Sequence, residues 1–375
     1  MRKVWGAMAA GVGAAVVAGT AVAARGVLPS LGGRPVGPYL LDSPQFRDGT
    51  FHNAAPPRWL PPGSARAALR ELVFGGQQRH PSGPVPLVAP GGATSADGLH
   101  LTWFGHASTL VELDGARVLL DPVWSDRASP SRLLGPKRLH PVPHRLTDLP
   151  ALDAIVISHD HYDHLDMPTV RELVRTQEAP FVVPLGVGAH LRRWKVPEHR
   201  IVELDWDGEH EVAGVRLVAT AAQHFSGRAF RRNNTLWASW VLAGPHHRVF
   251  YSGDTGYFSG FAEIGREHGP FDATLVQIGA YAPSWPDIHM LPEEGVAAHI
   301  ELDGRLFVPV HWGTFNLSVH GWTEPVDRAW QEAKARGVSM AVPRPGQRLN
   351  ARAAGTAGTA APVDPWWQAL GTPPH

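Results

Sequence analysis

The stretch Ser158-His159-Asp160-His161-Tyr162-Asp163-His164-Leu165-Asp166 decides how this chain is read. Three histidines and an aspartate stand in the spacing HxHxDH. Ala154–Ser158 (AIVIS), just before them, reads as a short buried strand. Asp166 as N-cap and Pro168 in the first turn then open a helix through about Thr176. A loop fixed at both ends can aim several side chains into one pocket. Imidazole nitrogen and carboxylate oxygen suit zinc, with iron or manganese chemically possible. The chain has 21 histidines and no cysteine, which excludes disulfides, thiol catalysis and Cys-containing zinc sites. A bound metal must therefore be held by His and carboxylate. Four ligands packed between His159 and His164 cannot all reach one tetrahedral ion comfortably, so the loop points to two ions. The bland alternative is a polar loop that is His-rich by chance.

Two ions need further ligands, and three later positions offer them. His224 lies in AAQHFSGR after an expected strand Val215–Thr220, Asp254 in YSGDTGY after Arg248–Ser252, and His311 in VPVHWGTF after Arg305–Val308. Strand ends are where open sheets present ligands. Each residue alone has a dull reading, a turn cap for Asp254 and a core histidine for the other two, and only together with the loop do they point to metal. Upstream, LTWFGH and TLVELDGARVLLDP read as a strand and a hairpin turning on Asp114-Gly115. Asp121, which closes the hairpin, either orients a metal-binding histidine or caps a turn. His106 in FGHAS either supports the site from below or is a structural core histidine. Further strands are expected at Phe181–Val183, Leu236–Leu242 and Ala273–Ile278, with helices at Pro292–Leu302 and Glu324–Arg336.

HxHxDH followed by single His, Asp and His resembles the metallo-β-lactamase-fold hydrolase superfamily. WFGHASTLVEL, DPVWSDRASPSRLLGPKR, ISHDHYDHLDMPTV, VPLGVGAHLRRW, AAQHFSGR, TLWASWVL, YSGDTGYF, GPFDATLVQIGAY, PEEGV and HWGTF look like successive blocks of the N-acyl-phosphatidylethanolamine-hydrolysing phospholipase D family, over roughly residues 45–320. The resemblance implies an α/β fold, an αββα sandwich of two packed mixed β-sheets flanked by helices, with two zinc ions at one edge. Carried over, His159, His161 and His224 would hold one zinc, Asp163, His164 and His311 the other, and Asp254 would bridge. Asp163 and His289 are the candidate catalytic residues. His289 precedes the Pro292-Glu293-Glu294 helix start, and in the family the matching histidine lies over the metals, where it could bond a phosphate oxygen or protonate a leaving group. A solvent-exposed loop histidine is the plain alternative.

The implied activity is a phospholipase D-type phosphodiesterase, a metal-bridging hydroxide attacking phosphorus to give phosphatidate and N-acylethanolamine. A lactonase or amide hydrolase on the same scaffold is the competing reading, followed by a nuclease and a catalytically silent envelope-binding protein. Lys+Arg and Asp+Glu both total 34, so no basic field calls for nucleic acid, and the expected partners are a phospholipid and a membrane surface. Arg132, Lys137, Arg138, Arg228 and Arg231, interleaved with Leu133, Leu134 and Leu139, are the candidate headgroup-binding residues, against the plainer reading of exposed solubilising charge.

The flanks have their own grammar. Arg2 and Lys3 precede the uncharged run Val4–Ala24, so residues 1–26 read as a cleaved export signal or a retained membrane anchor, and the chain is expected in the cell envelope or outside the cytoplasm. Residues 27–95 carry 12 prolines and 10 glycines and read as an arm with one helix near Ala65–Val73, packed on the body through Phe46, Phe51, Trp59 and Phe74. Residues 96–350 form the catalytic domain, and 351–375 a loose tail apart from Trp366-Trp367.

Overall fold

The structure, a computed structural model, describes residues 26–58, 63–89, 96–228, 231–351 and 364–371. The Val4–Ala24 run and Trp59 lie outside the described residues. Among the described residues no helix is long and apolar enough to cross a membrane.

In the arm, β1 (Phe46–Arg47) and β2 (Thr50–Phe51) pair as a small hairpin. The body begins with an antiparallel meander of β3 (Leu99–Gly105), β4 (Ser108–Leu113) and β5 (Ala116–Leu120). Asp114 and Gly115, at φ 51° and 99°, make the β4–β5 turn, as two-residue hairpins between twisted strands require. β6 (Ala154–Val156), β7 (Phe181–Pro184) and β8 (Ile201–Leu204) then add in parallel, and β15 (Arg348–Asn350) closes the far edge. The result is a seven-stranded mixed sheet in the order β15-β3-β4-β5-β6-β7-β8. The second sheet has six strands: β9 (Glu209–Val212), β10 (Val215–Thr220), β11 (Ser239–Ala243), β12 (Arg248–Tyr251), β13 (Ala273–Gln277) and β14 (Phe307–Val310). It is antiparallel from β9 to β12 and parallel from β12 to β14.

The pleat sorts side chains into layers. Val118, Leu120, Ala154, Val156 and Val182 meet Leu217, Trp240, Leu242 and Leu275 between the sheets. Their neighbours Leu119, Ile155, Phe181 and Val183 turn outward onto Val170, Leu173, Leu191 and Trp194 of the helices Met167–Thr176 and Gly188–Arg193. Both faces are covered, so these strands read as continuous apolar runs rather than alternating ones. This is the expected αββα sandwich.

Several boundaries differ from the sequence reading. β11 starts at Ser239, not Leu236, because Leu236 and Trp237 are drawn into a separate cluster with Leu40, Phe51, Leu185 and Ala222, where the arm docks. β14 runs Phe307–Val310, which brings His311 to the first position after the strand. Phe74 does not pack on the body: it is 82% exposed at the end of the helix Ser64–Phe74, whereas Phe51 is fully buried. At the other terminus, Trp366 stacks on Trp312, and the buried Trp367 donates through Nε1 to Asp327 Oδ1 (2.7 Å).

Candidate metal centre

β3, β5 and β6 run in one direction within their sheet, as do β10, β12 and β14 in theirs. His106 follows β3, Asp121 follows β5, and the His159–His164 loop follows β6. His224, Asp254 and His311 follow β10, β12 and β14. The strand pattern thus delivers the whole candidate set to one edge. Three members sit in left-handed backbone, His106 at φ 54°, Asp121 at 37° and His311 at 64°. Such conformations cost about 1–3 kcal/mol each and persist only where the surroundings over-determine them, which fits a functional edge.

Donor chains fix which imidazole nitrogens are bare. Asp121 is fully buried; its Oδ1 accepts from Ser158 N (2.7 Å), and its Oδ2 accepts from His164 Nδ1 (2.6 Å), Ser158 Oγ and Tyr251 OH. Ser158 Oγ, having given its proton to Asp121, accepts from His159 Nδ1 (3.0 Å). His224 Nδ1 donates to Ile288 O (3.2 Å). In His164, His159 and His224 Nδ1 is thus committed as a donor, which leaves Nε2 as the inward-facing nitrogen through which each ring can bind a metal.

These atoms converge in two groups. His159 Nε2 lies 2.8 Å from His161 Nδ1, which is 3.3 Å from His224 Nε2, and Asp254 Oδ2 is 3.8 Å from both His159 and His224. In the second group, His164 Nε2 lies 3.5 Å from Asp163 Oδ2 and 3.1 Å from Asp254 Oδ2, and His311 Nε2 lies 3.2 and 3.1 Å from the same two oxygens. A tetrahedral ion bound at about 2.0–2.1 Å places its ligand atoms about 3.3 Å apart, so both groups have the spacing of a metal cage, with Asp254 Oδ2 common to the two. Buried His164 Nε2 and Asp254 Oδ1 lack any hydrogen-bond partner among the described residues. Bare lone pairs facing one another in a buried site repel unless a cation lies between them. The residues present fit two divalent ions.

The electrostatics differ between the two groups. Against the effect of burial, the Asp254, Asp163 and Asp121 carboxylates raise His164 well above the ordinary histidine pKa, and Asp254 and Asp163 raise His311, so the second group draws in positive charge, a proton or a metal ion. Burial, reinforced by the neighbouring imidazoles, holds His159 and His224 well below the ordinary histidine pKa, in the neutral form that binds metal. Burial alone would raise the Asp163 and Asp254 carboxyls, but His164 and its neighbours hold both well below the usual range, so they are anionic.

His106, with Nε2 2.9 Å from Asp163 Oδ2 and its ring 3.9 Å from that of His311, supports the site from below. Asp121 likewise orients His164 and does not merely cap a turn. His289 sits over both groups, its ring 5.2 Å from His224 and 5.3 Å from His311. Gln277 gives its amide to Thr255 O (3.0 Å), so its Oε1 accepts from His289 Nδ1 (3.2 Å), and His289 Nε2 is left bare. Burial brings the His289 pKa down to about 3.

Two expected headgroup ligands are corrected. Arg138 and Arg228 are buried, not presented to solvent. Arg138 gives Nε to Ser125 O (3.0 Å) and Nη2 to Val123 O, beneath Phe315. Arg228 is committed to main-chain carbonyls and stacked against Tyr162 and Trp194. Every nitrogen of the Arg228 guanidinium is engaged, and Arg138, although its Nη1 has no partner among the described residues, is buried away from the surface where a headgroup would lie. Arg132, Lys137 and Arg231 are exposed, as are Leu133 (77%) and Leu134 (73%) between the first two.

Sequence reasoning missed Tyr251, Gln277 and Asn53. Tyr251 is the last residue of β12, three before Asp254, a position that could have marked it. Asn53 gives no such signal: it lies 171 positions from His224, yet its Nδ2 donates to His224 O (2.8 Å) and its Oδ1 accepts from His224 N (3.0 Å).

A two-sheet sandwich carrying paired His/Asp metal cages on one edge defines a metal-dependent hydrolase. Residues 116–312 match the beta-lactamase superfamily domain, and the chain belongs to that superfamily. It is 52% identical over 332 residues to an uncharacterised protein of Mycobacterium tuberculosis, covering 87% of this chain and 88% of the relative. It is 36% identical over 270 residues to the N-acyl-phosphatidylethanolamine-hydrolyzing phospholipase D 1 of Caenorhabditis elegans, covering 68% and 75% of the two chains. Among solved structures, Igni18, a metallo hydrolase from the archaeon Ignicoccus hospitalis, superposes with a TM-score of 0.51 at 22% identity, over 67% of this chain and 97% of that one.

Proposed function

We propose that this chain is a zinc-dependent phosphodiesterase of phospholipase D type, cleaving N-acyl-phosphatidylethanolamine-like lipids to phosphatidate and N-acylethanolamine. The observation that carries the reading is the shared carboxylate: Asp254 Oδ2 faces His164 and His311 at 3.1 Å and the other cage at 3.8 Å. Such sharing suits two ions close enough to clamp one phosphoryl group. The lipid class is supported by the name of the Caenorhabditis relative. Divalent ions held there supply Lewis acidity toward phosphoryl oxygens and make water nucleophilic at neutral pH.

The chain's own residues do the rest. Asp121, Ser158 and Ile288 lock the tautomers of His164, His159 and His224, so the cages need no rearrangement when loaded. His106 holds Asp163 toward the second cage. His289 Nε2 faces the space above both. An anionic phosphodiester beside it raises its pKa by charge, so the ring takes a proton there and can pass it to the departing alcohol oxygen.

Leu133 and Leu134, exposed between Arg132 and Lys137, offer a bilayer apolar anchorage beside cationic attraction for its headgroups. The Val4–Ala24 run supports an envelope or extracytoplasmic placement, as a cleaved signal or a retained tether.

Metal analysis joined to mass-spectrometric products from a lipid panel tests the reading. Two zinc ions per chain and release of phosphatidic acid with N-acylethanolamine are expected. Full activity after exhaustive chelation refutes it, and hydrolysis confined to lactones or amides moves the activity to the competing class. Activity recovered with iron alone keeps the site and replaces zinc.

A further inference from the structure

Asp160 stands between two candidate ligands, His159 and His161, but its own side chain turns away from the metal cages. It is fully buried, and its partners come from elsewhere in the chain. Oδ1 accepts from Gly227 N (2.7 Å), and Oδ2 lies 3.1 Å from His190 Nε2. The other nitrogen of that ring, Nδ1, accepts from Gly33 N (3.1 Å). An N–H pointed at Nδ1 puts the imidazole proton on Nε2, where it is donated to Asp160. The tautomer that secures the metal loop is thus set by an amide of the N-terminal arm.

Arg228 makes a second link of the same kind. Its Nη1 donates to Asp160 O (2.7 Å) and Leu165 O (2.6 Å), on either side of the ligands His161, Asp163 and His164. Its Nε and Nη2 donate to Ser30 O at 3.1 and 2.9 Å. Trp194, whose ring stacks on the same guanidinium, donates through Nε1 to Pro29 O (2.7 Å). Residues 29–33 therefore complete two buried polar chains that end on the metal loop. If the arm leaves, Arg228 and His190 lose partners in a buried site, and they are then free to release Asp160.

We propose that docking of residues 29–33 is linked to metal occupancy, with His190 and Arg228 as the positioning residues that carry the coupling. The docked arm holds the His159–His164 loop in its ligating geometry, and bound metal by reciprocity holds the arm down. The inference rests on the metal centre, not on the lipid substrate, so failure to cleave lipid bears on the phospholipase reading alone.

The test uses full-length protein and zinc ions. A Cβ at Gly33 would overlap the carbonyl oxygen of Ala189, so Gly33→Ala prevents docking without touching the metal loop, while a Cβ at Gly26 meets nothing within 4 Å, and Gly26→Ala is the matched control. Chelator competition should show zinc affinity falling about 10- to 100-fold in Gly33→Ala, the scale of a buried hydrogen bond left unmade in the frame of the loop, with Gly26→Ala at the wild-type value. Hydrogen exchange at the Gly33 amide of wild-type protein needs no variant, and it should slow by a similar factor when zinc is added. Wild-type zinc affinity in Gly33→Ala, or a Gly33 amide indifferent to zinc, overturns the coupling. A wild-type chain that takes up no metal overturns the centre and the coupling together.

Discussion

Replacing Asp121 by asparagine removes one charge and alters one atom, yet it should unseat a metal ion some distance from the carboxylate. Asp121 accepts four hydrogen bonds, and three of them converge on Oδ2: those from His164 Nδ1 at 2.6 Å, Ser158 Oγ and Tyr251 OH. Burial and the carboxylate itself push the Tyr251 hydroxyl well above its usual pKa, so it is a donor at neutral pH. With Asn Oδ1 kept toward Ser158 N, the new NH2 faces these three donors. The hydroxyls of Ser158 and Tyr251 can rotate and accept instead. His164 cannot: to accept at Nδ1 it must carry its proton on Nε2, which is the atom aimed at Asp254 and the second cage. The variant therefore either keeps the ligating tautomer with a buried N–H against an N–H, or keeps the hydrogen bond and blocks the ligand. An unmade buried donor costs about 1–3 kcal/mol, and the expected loss of zinc affinity is about 10- to 100-fold. Chelator competition on Asp121→Asn reads the affinity, and urea unfolding in excess chelator reads the stability of the metal-free fold separately. Two ions retained at wild-type affinity would refute the tautomer argument.

Three further outcomes are expected. His289→Ala should leave the zinc content intact and lower kcat by about 100-fold or more, as for loss of one acid/base group; metal loss measured in the same protein would make His289 a ligand instead. Leu133→Glu combined with Leu134→Glu should abolish binding to anionic vesicles in a sedimentation assay while sparing activity on detergent-dispersed lipid, and undiminished vesicle binding would remove this loop from the membrane surface. His299, buried against Thr274 (2.7 Å) with its pKa lowered to about 4 by burial, binds its proton more weakly folded than unfolded. Its contribution is present above about pH 6.5 and is lost as pH falls toward 4, on the order of 3 kcal/mol in all. Urea titrations across that range should show His299→Gln losing less stability on acidification than the wild type.

The fold and the cages were legible because their causes are local. HxHxDH between an apolar strand and a capped helix states its geometry in nine residues, and the helix starts at Met167 with Asp166 Oδ2 accepting from Thr169 N, as its sequence announces. His224, Asp254 and His311 were findable because each follows its strand closely. What stayed hidden depends on distant pairing. Arg138 and Arg228 look like solvated cations in a basic stretch, and only the folded chain brings main-chain carbonyls around them. Phe51 and Phe74 look alike in sequence, but one falls under Trp237 and the other ends a helix facing solvent.

The same contrast bears on what holds the molecule together. The chain has no cysteine, so no covalent link spans the sandwich. One edge instead gathers seven imidazoles and three carboxylates, with three of these residues in left-handed backbone, an arrangement that opposes folding while the cages are empty. Metal that binds only the folded form adds stability as RT ln(1 + [L]/Kd), about 4 kcal/mol at a thousand times Kd. The arm enters the same balance: Asn53 clamps both main-chain groups of His224, and Ser30 and Gly33 close the chains that reach Asp160. A proline-rich segment that looks like a linker is thus part of the centre's frame, and loading the metal and closing the arm become two views of one folding step.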